Sequence, residues 1–390
     1  MRTKIKYILH SKKQEILDQD QTVCGWIKTV RHQKNFSFIE INDGSCFSSL
    51  QVIASSDIEN YEEILELTTG SSVCFTGKIV QSPGKGQAFE MQATQFKIYG
   101  IANATTYPLQ KKRHSFEFLR TIAHLRPRTN TQGAVIRIRN AAAFASHEFF
   151  QKRDFYYIQT PIITSSDCEG AGEMFRVTTQ ADSKDLSKDF FGKAAYLTVS
   201  GQLNVEAFAC SLGDVYTFGP TFRAENSHTP RHLAEFWMIE PEIAFANLND
   251  DIQLIEDYLK YVTKYIYENC REDLEFFDKF IEKGLIERLE KVISTPFARV
   301  TYTEAIDLLE KADVQFEFPV SWGCDLQSEH ERYLSETYFN KPVFVTDYPK
   351  EIKSFYMKLN DDQKTVAAVD LLVPIIGELV GGSAREDDFE

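Results

Sequence analysis

The amino-acid sequence predicts an α+β chain: a five-stranded β-barrel over residues 1–105, then a helix-and-sheet domain built largely on antiparallel strands. Three observations predict it. Apolar side chains recur at every second position in five short runs before residue 105. One helical stretch interrupts those runs between the third and the fourth. Beyond residue 131 two long amphipathic helices are separated by hairpin-like strand pairs, the pattern of an α+β domain and not of a doubly wound one.

Residues 23–30 form the first run and residues 36–42 the second, closed by the turn pair Asp43-Gly44; residues 50–54 form the third. Over residues 57–68 the period changes. Ile58, Tyr61, Ile64, Leu65 and Leu67 fall on helical spacing, with Asp57 as the expected N-cap. Residues 73–80 and 89–99 supply the last two strands, joined by a glycine-rich tip at 82–86. Five strands with a helix between the third and fourth is the order of an OB barrel, whose open sheet face binds single-stranded nucleic acid. Gly84-Lys85-Gly86 lacks the Walker spacing and the Ser or Thr after Lys, so it reads as a hairpin tip.

Residues 106–130 carry little pattern, many positive charges and the breakers Pro108 and Pro127, and read as a hinge. From Gln132 a helix presents Val135, Ile138, Ala141, Ala142, Ala145 and Phe149 on one face. Residues 249–270 predict a second long helix, capped by Asn249 or Asp250, with a stripe of Ile252, Ile255, Tyr258, Leu259, Val262 and Ile266. Strand-like runs fall at 155–158, 195–199, 215–218, 235–245, 343–346, 354–358 and 366–373. The chain shows no internal repeat.

With 390 residues, 43% of them hydrophobic and 26% charged, the composition is that of a soluble, multidomain globular protein. No apolar run approaches a membrane span and residues 1–6 do not open a secretory signal, so a cytoplasmic protein with no membrane partner is expected. The seven Cys are scattered, with no Cys-x-x-Cys pair, which predicts reduced and mostly buried thiols and neither a zinc site nor a disulfide framework. A net charge of −14 argues against a nucleic-acid partner, but its distribution argues back. Residues 1–34 hold eight Lys and Arg against three acids, and residues 110–139 hold eight against one. Such a basic front suits one face on a phosphate backbone; two solvated basic stretches are the alternative.

The chemistry concentrates in residues 222–242, a strand, a loop rich in Arg and His, and a returning strand. Arg223 and Arg231 stand at the two ends of the loop, and paired Arg forks grip polyphosphate. Phe236 on the returning strand is placed to lie against a flat base, and Glu225 to accept from an amino group. For any one of these residues a charged surface hairpin is the commoner explanation; for the whole run it is not.

Phe222-Arg223-Ala224-Glu225, the loop, and Arg231-His232-Leu233-Ala234-Glu235-Phe236 resemble motif 2 of the class II aminoacyl-tRNA synthetases, in the subgroup charging Asp, Asn and Lys. The resemblance covers essentially the whole chain. It implies that Arg223 binds the α-phosphate of ATP, that Arg231 and His232 reach the outer phosphates, and that Phe236 stacks on adenine; Arg223, Glu225 and His232 are the implied catalytic set. The segment 155–161 and the helix before it resemble motif 1, which implies a homodimer through the 133–161 region. The segment 169–175 resembles a mobile loop whose first acid, Glu169, meets the amino acid's ammonium, and 200–206 a segment whose Gln202 does the same. Residues 370–385 resemble a strand pair whose acids, Asp370 and Glu378, hold Mg2+, and whose Arg385 holds the substrate side chain. Carboxylate oxygens suit such a hard cation. The barrel matches the subgroup's anticodon-binding domain. Phe38 and Gln51 fall where the family stacks and reads bases, with Arg31 and Lys34 beside them; Phe36 and Ile39 compete with Phe38 for the choice between face and core.

Within the subgroup the resemblance is to the bacterial asparagine type, which implies asparagine and tRNA(Asn) as substrates. Aspartate enzymes carry Lys three places after the Gln that matches Gln202; here that place is Val205, followed by Glu206. An aspartate carboxylate buried without that Lys would lose on the order of several kcal/mol. Arg385 is then expected to take the amide oxygen, and Glu225 or Glu206 the amide NH2. One departure stands out. The family's third motif, Gly-rich and ending in Arg, is not found, and the chain stops at Glu390, so the 131–390 domain is expected to be catalytically incomplete. A non-catalytic tRNA-binding or regulatory relative and an aspartyl enzyme of relaxed tRNA choice are the alternatives. The intact Arg223, Glu225, His232, Phe236 and Glu378 oppose the first, and Val205 the second.

Overall fold

The computed structural model describes residues 2–11, 16–84, 86–110, 112, 114–166, 174–180, 185–226 and 232–388. By contact the chain divides into two units, Met1–Ala142 with Ile266–Ile286, and Ala143–Tyr265 with Glu287–Glu390.

The first unit is built on a closed barrel of β1 (Asp20–His32), β2 (Phe36–Asn42), β3 (Leu50–Ser55), β4 (Ser72–Gln81) and β5 (Phe89–Gly100), in the order β1-β2-β3-β5-β4. Alternation does the folding: Val23, Ile39, Ile41, Val52, Phe75 and Met91 all point inward and are fully buried. The barrel closes tightly at Gly77, where a Cβ would meet the Gln92 carbonyl oxygen at 2.1 Å, so only glycine fits. A helix does lie between β3 and β4, but it is shorter than predicted, Tyr61–Leu65, and Asp57 does not cap it. Asn60 turns left-handed at φ 61°, and Asp57 accepts from the Ser55 hydroxyl instead. The 106–130 stretch holds a short helix at Phe116–Thr121, capped by Ser115. Arg137 forks onto the Asp273 carboxylate at 2.7 Å within this unit.

The second unit carries three small sheets. The hairpin of β10 (Val215–Phe222) and β11 (Glu235–Glu242) is flanked by a parallel β6 (Tyr156–Tyr157). The set β12 (Ala298–Thr301), β13 (Val343–Pro349), β14 (Thr365–Val373) and β15 (Gly377–Ser383) is antiparallel except at β12–β13. Strands β7 (Ile163–Thr164), β8 (Arg176–Val177) and β9 (Ala195–Leu197) make the third. Helix Leu248–Asn269 buries Ile252 and Ile255 with Phe344, Val369 and Leu371, while Phe149, Phe150, Phe155 and Tyr216 fill a second core. Its first turn is held by Asn247, two positions before the nearer of the predicted caps, whose Oδ1 accepts from the Asn249 and Asp250 amides at 2.8 and 3.3 Å. Residues 354–358 do not form the expected strand. The segment makes one isolated bridge, Met357 with Arg385, and at its end Lys358 accepts from the Ala367 amide at 2.8 Å and donates to the Ala384 carbonyl at 2.9 Å, beyond the end of the β14–β15 ladder.

The thiols differ from expectation. Only Cys46 and Cys270 are buried among the described cysteines; Cys24, Cys74 and Cys324 are half-buried and Cys210 is exposed. Cys24 and Cys74 fall on outward positions of their strands, which the count of cysteines alone does not show.

Candidate active site and nucleic-acid face

In the second unit, register brings the predicted residues together. Arg223 follows β10 and its amide donates to the Ala234 carbonyl at 3.1 Å, so the hairpin is still paired where its loop begins. Its guanidinium carbon lies 5.5 Å from the Phe236 ring centroid. Glu225 and His232 lie exposed on the loop; Glu169 and Arg231 lie outside the described residues.

On the facing strand pair, Asp370 of β14 sits opposite Gly381 of β15. A Cβ on Gly381 would come within 3.3 Å of the Glu378 Oε1 and 3.5 Å of the Asp370 Oδ1, so both carboxylates overhang one glycine. Lys353 donates to Asp370 Oδ2 at 2.7 Å and lies 4.0 Å from the Tyr348 ring centroid. Burial pushes the Glu378 carboxyl up to about 7, with Asp370 and Glu331 adding to the rise and Lys353 and Arg223 opposing it. The Glu378 amide donates to Glu331 at 3.2 Å.

Beside this lies a polar pocket. Glu240 of β11 accepts from the Ser200 hydroxyl and, at 3.1 Å, from the Gly201 amide. Gly201 is required by space, since a Cβ would stand 2.8 Å from both Thr160 Oγ1 and Thr217 Cγ2. Burial pushes the Glu240 carboxyl up, against the pull of Ser200, Gly201 and Arg223. The Gln202 amide nitrogen is buried without a hydrogen-bond partner. The two ends of a side-chain amide exchange by a flip, so this position suits either a donor or an acceptor on a ligand.

Arg385 sits among three acids. It donates to Glu242 at 2.5 Å, its Nε lies 3.6 Å from Glu206, and it donates to the Ser383 hydroxyl at 2.6 Å. Burial raises Glu242 to about 7 and Asp251 to about 6, with Arg385 pulling both down. Val205 does not line this pocket as expected. It is fully buried in an apolar cluster with Ala209 and Val215, because its turn of helix Gln202–Leu212 faces β10, and the next residue, Glu206, faces Arg385 instead.

Sequence reasoning named Arg223, Phe236, Gln202, Asp370, Glu378 and Arg385, and missed Glu240, Glu242, Asp251 and Lys353. A period-2 signal was there to find two of them: on a strand, Glu240 and Glu242 share a face with Phe236.

The barrel carries its own candidate face. Ile39 belongs to the core, whereas Phe38 points outward. Phe38 pairs with Arg31 in the β1–β2 ladder, and the guanidinium lies 5.5 Å from its ring. Phe36 meets it edge-on at 5.0 Å. Gln51, also outward, donates to Glu90 at 3.3 Å.

Comparison with known proteins shows the family. The family model described as tRNA synthetases class II (D, K and N) matches residues 115–390, and one described as OB-fold nucleic acid binding domain matches residues 21–99. The chain belongs to the class II tRNA synthetases of the D, K and N group. Among the relatives it resembles is the asparagine–tRNA ligase of Protochlamydia amoebophila, 61% identical over 99% of this chain and 85% of that one. That of Clostridium beijerinckii is 58% identical over 98% and 84%. A solved asparaginyl-tRNA synthetase from Pyrococcus horikoshii, complexed with asparaginyl-adenylate, superposes with a TM-score of 0.85 at 29% identity, over all of this chain and 84% of that one. Within the group, the branch to which the chain belongs is the asparagine–tRNA ligases.

Proposed function

We propose that this chain joins asparagine to tRNA(Asn) at the strand-lined face of its second unit, with the following division of labour. Arg223 neutralises the α-phosphate of ATP, and Phe236 carries the adenine. The asparagine carboxylate displaces pyrophosphate to give an asparaginyl-adenylate. The terminal ribose of the tRNA then attacks that mixed anhydride and releases AMP, without a covalent enzyme intermediate. Preorganised positive charge on the developing phosphate charge is the main source of rate. The buried side-chain nitrogen of Gln202, which has no hydrogen-bond partner, and the carboxylate of Glu240 suit the two ends of this pocket to the substrate amino acid, whose ammonium would add a counter-charge to that of Arg223 beside Glu240.

One observation carries the choice of asparagine: Arg385 is already claimed by Glu242 and Glu206, with Asp251 close enough to feel its charge. A neutral amide fits beside this balanced set, its oxygen toward Arg385 and its NH2 toward Glu206. A carboxylate would meet more negative than positive charge. ATP–pyrophosphate exchange tests this directly. Asparagine is expected to support exchange at least a hundredfold faster than aspartate, and equal rates would overturn the assignment.

No group of three or more His, Cys, Asp or Glu side chains that could hold a metal occurs among the described residues. The overhanging Asp370 and Glu378 oxygens nevertheless fit Mg2+ that arrives with ATP and keeps phosphate and water ligands, the usual habit of that ion. Exposed Phe144, Tyr156, Tyr157 and Trp237, the last two lining a cleft of about 300 Å³, support a homodimer through this region. Sedimentation equilibrium is expected to return twice the chain mass. No described helix is long and apolar enough to cross a membrane.

A further inference from the structure

The outer wall of the barrel holds a pair of side chains that aminoacylation does not use. In β1 and β4, Val23 and Phe75 point into the core, so their neighbours Cys24 and Cys74 point out. The two cysteines are direct partners in the antiparallel ladder, and their sulfurs lie 2.6 Å apart. Opposed residues on antiparallel strands have Cα atoms about 4.5 or 5.5 Å apart. Disulfides span about 4.4–6.8 Å. No backbone movement is therefore needed to join them. Two pairs away, the Thr22 and Thr76 hydroxyls meet at 2.9 Å on the same face, which pins the register. Tyr99 of β5 lies near enough to both sulfurs for the three groups to influence one another's protonation. Lys97, the ladder partner of Cys74, places its ammonium 5.2 Å from the Tyr99 ring.

We propose that Cys24 and Cys74 form a reversible cross-strand thiol–disulfide site whose oxidant is a low-molecular-weight disulfide. One protein thiolate attacks the oxidant's S–S bond and expels one small thiol. The second protein thiol, losing its proton, attacks the resulting mixed disulfide and expels the other. Two protein S–H groups become one S–S bond, and one small disulfide becomes two small thiols. Burial and the neighbouring thiol hold Cys74 up at about 11, which disfavours Cys74 as the first nucleophile. The resulting bond ties β1 to β4 across a loop of roughly fifty residues, restraining the strand that also carries Arg31.

The full chain is equilibrated in buffers of reduced and oxidised glutathione spanning strongly reducing to strongly oxidising ratios, quenched with acid, alkylated and mapped by mass spectrometry. A linked peptide containing Cys24 and Cys74, two hydrogens lighter than the sum of its parts, is expected to accumulate as the ratio becomes oxidising. It should vanish with dithiothreitol and be absent from the Cys24→Ser chain. Exposed Cys210 reports that the buffer is active by taking up glutathione. If Cys210 is glutathionylated while Cys24 and Cys74 remain alkylated, or each carries its own glutathione, the proposal is overturned.

Discussion

The barrel and the catalytic unit place charge in opposite ways. On the barrel the candidate recognition residues Arg31, Phe38 and Gln51 stand on an outward face. In the catalytic unit Glu240, Glu242 and Asp251 are half-buried, and burial is the largest influence on each carboxyl. Desolvating a charge costs free energy unless a partner offsets it. The barrel's face therefore bears no such cost when free of ligand, while the catalytic site does and is relieved when cationic and phosphate-bearing substrates arrive. The two regions should respond to mutation in different observables.

The sharpest separation is expected at Arg223. Arg223→Ala should slow ATP–pyrophosphate exchange by about a hundred- to a thousandfold, in line with the loss of one preorganised donor, and leave tRNA affinity, measured by filter binding, nearly unchanged. Equal losses in both would break the division of labour. Next in size is Glu242→Ala, which removes the shortest ion pair of Arg385, leaves Glu206 and Asp251 to hold it in a shifted position, and should raise the KM for asparagine about tenfold. An unchanged KM would detach Arg385 from the substrate side chain.

The third prediction concerns pH. The folded protein holds protons on Glu242 and Asp251 at about 7 and about 6, whereas the unfolded chain releases them near 4. Stability of the substrate-free protein is therefore greatest, as far as these two groups decide it, below about pH 4, and falls as pH rises to about 7. The melting temperature should drop by several degrees between pH 5 and pH 8, and Glu242→Gln should flatten that slope. A slope untouched by the substitution would assign it to other groups. The smallest effect belongs to the barrel. Phe38→Ala should raise the KM for tRNA about tenfold, as expected from losing roughly 1–3 kcal/mol of stacking, with asparagine activation unaltered. A parallel loss of activation would mean that Phe38 supports the fold instead.

The same contrast explains what could be read from residue order alone. Period-2 alternation exposed all five barrel strands, because a barrel with one buried and one wet face writes its fold into every second residue. Helix ends were less legible. Asn247, Asn249 and Asp250 are all good caps, and only the hydrogen bonds to Asn247 Oδ1 show which one serves. The candidate residues Arg223, Phe236, Asp370 and Glu378 stand out in the sequence because each run is contiguous within one strand pair, which the fold keeps. Val205 misled, since the substitution that separates asparagine from aspartate types was read as a change in pocket lining. Its side chain packs against the sheet, and the acids at the pocket, Glu206, Glu242 and Asp251, come from three elements and converge on Arg385, 143 residues beyond Glu242. Such convergence has no local signature.

Gly201 carries a consequence of another kind. Every single-nucleotide change in a glycine codon that alters the residue and keeps the chain intact adds at least a Cβ, and here a Cβ has Thr160 and the buried Thr217 at 2.8 Å and the Glu240 carboxylate at 3.1 Å. The Glu240 carboxylate ends a flexible side chain and can give way, but only by leaving the Ser200 hydroxyl and the Gly201 amide that it accepts from, and the two threonines are short. Any one-step change here therefore disturbs the Ser200–Glu240 arrangement, so mutational drift reshapes the walls of the pocket more readily than its floor.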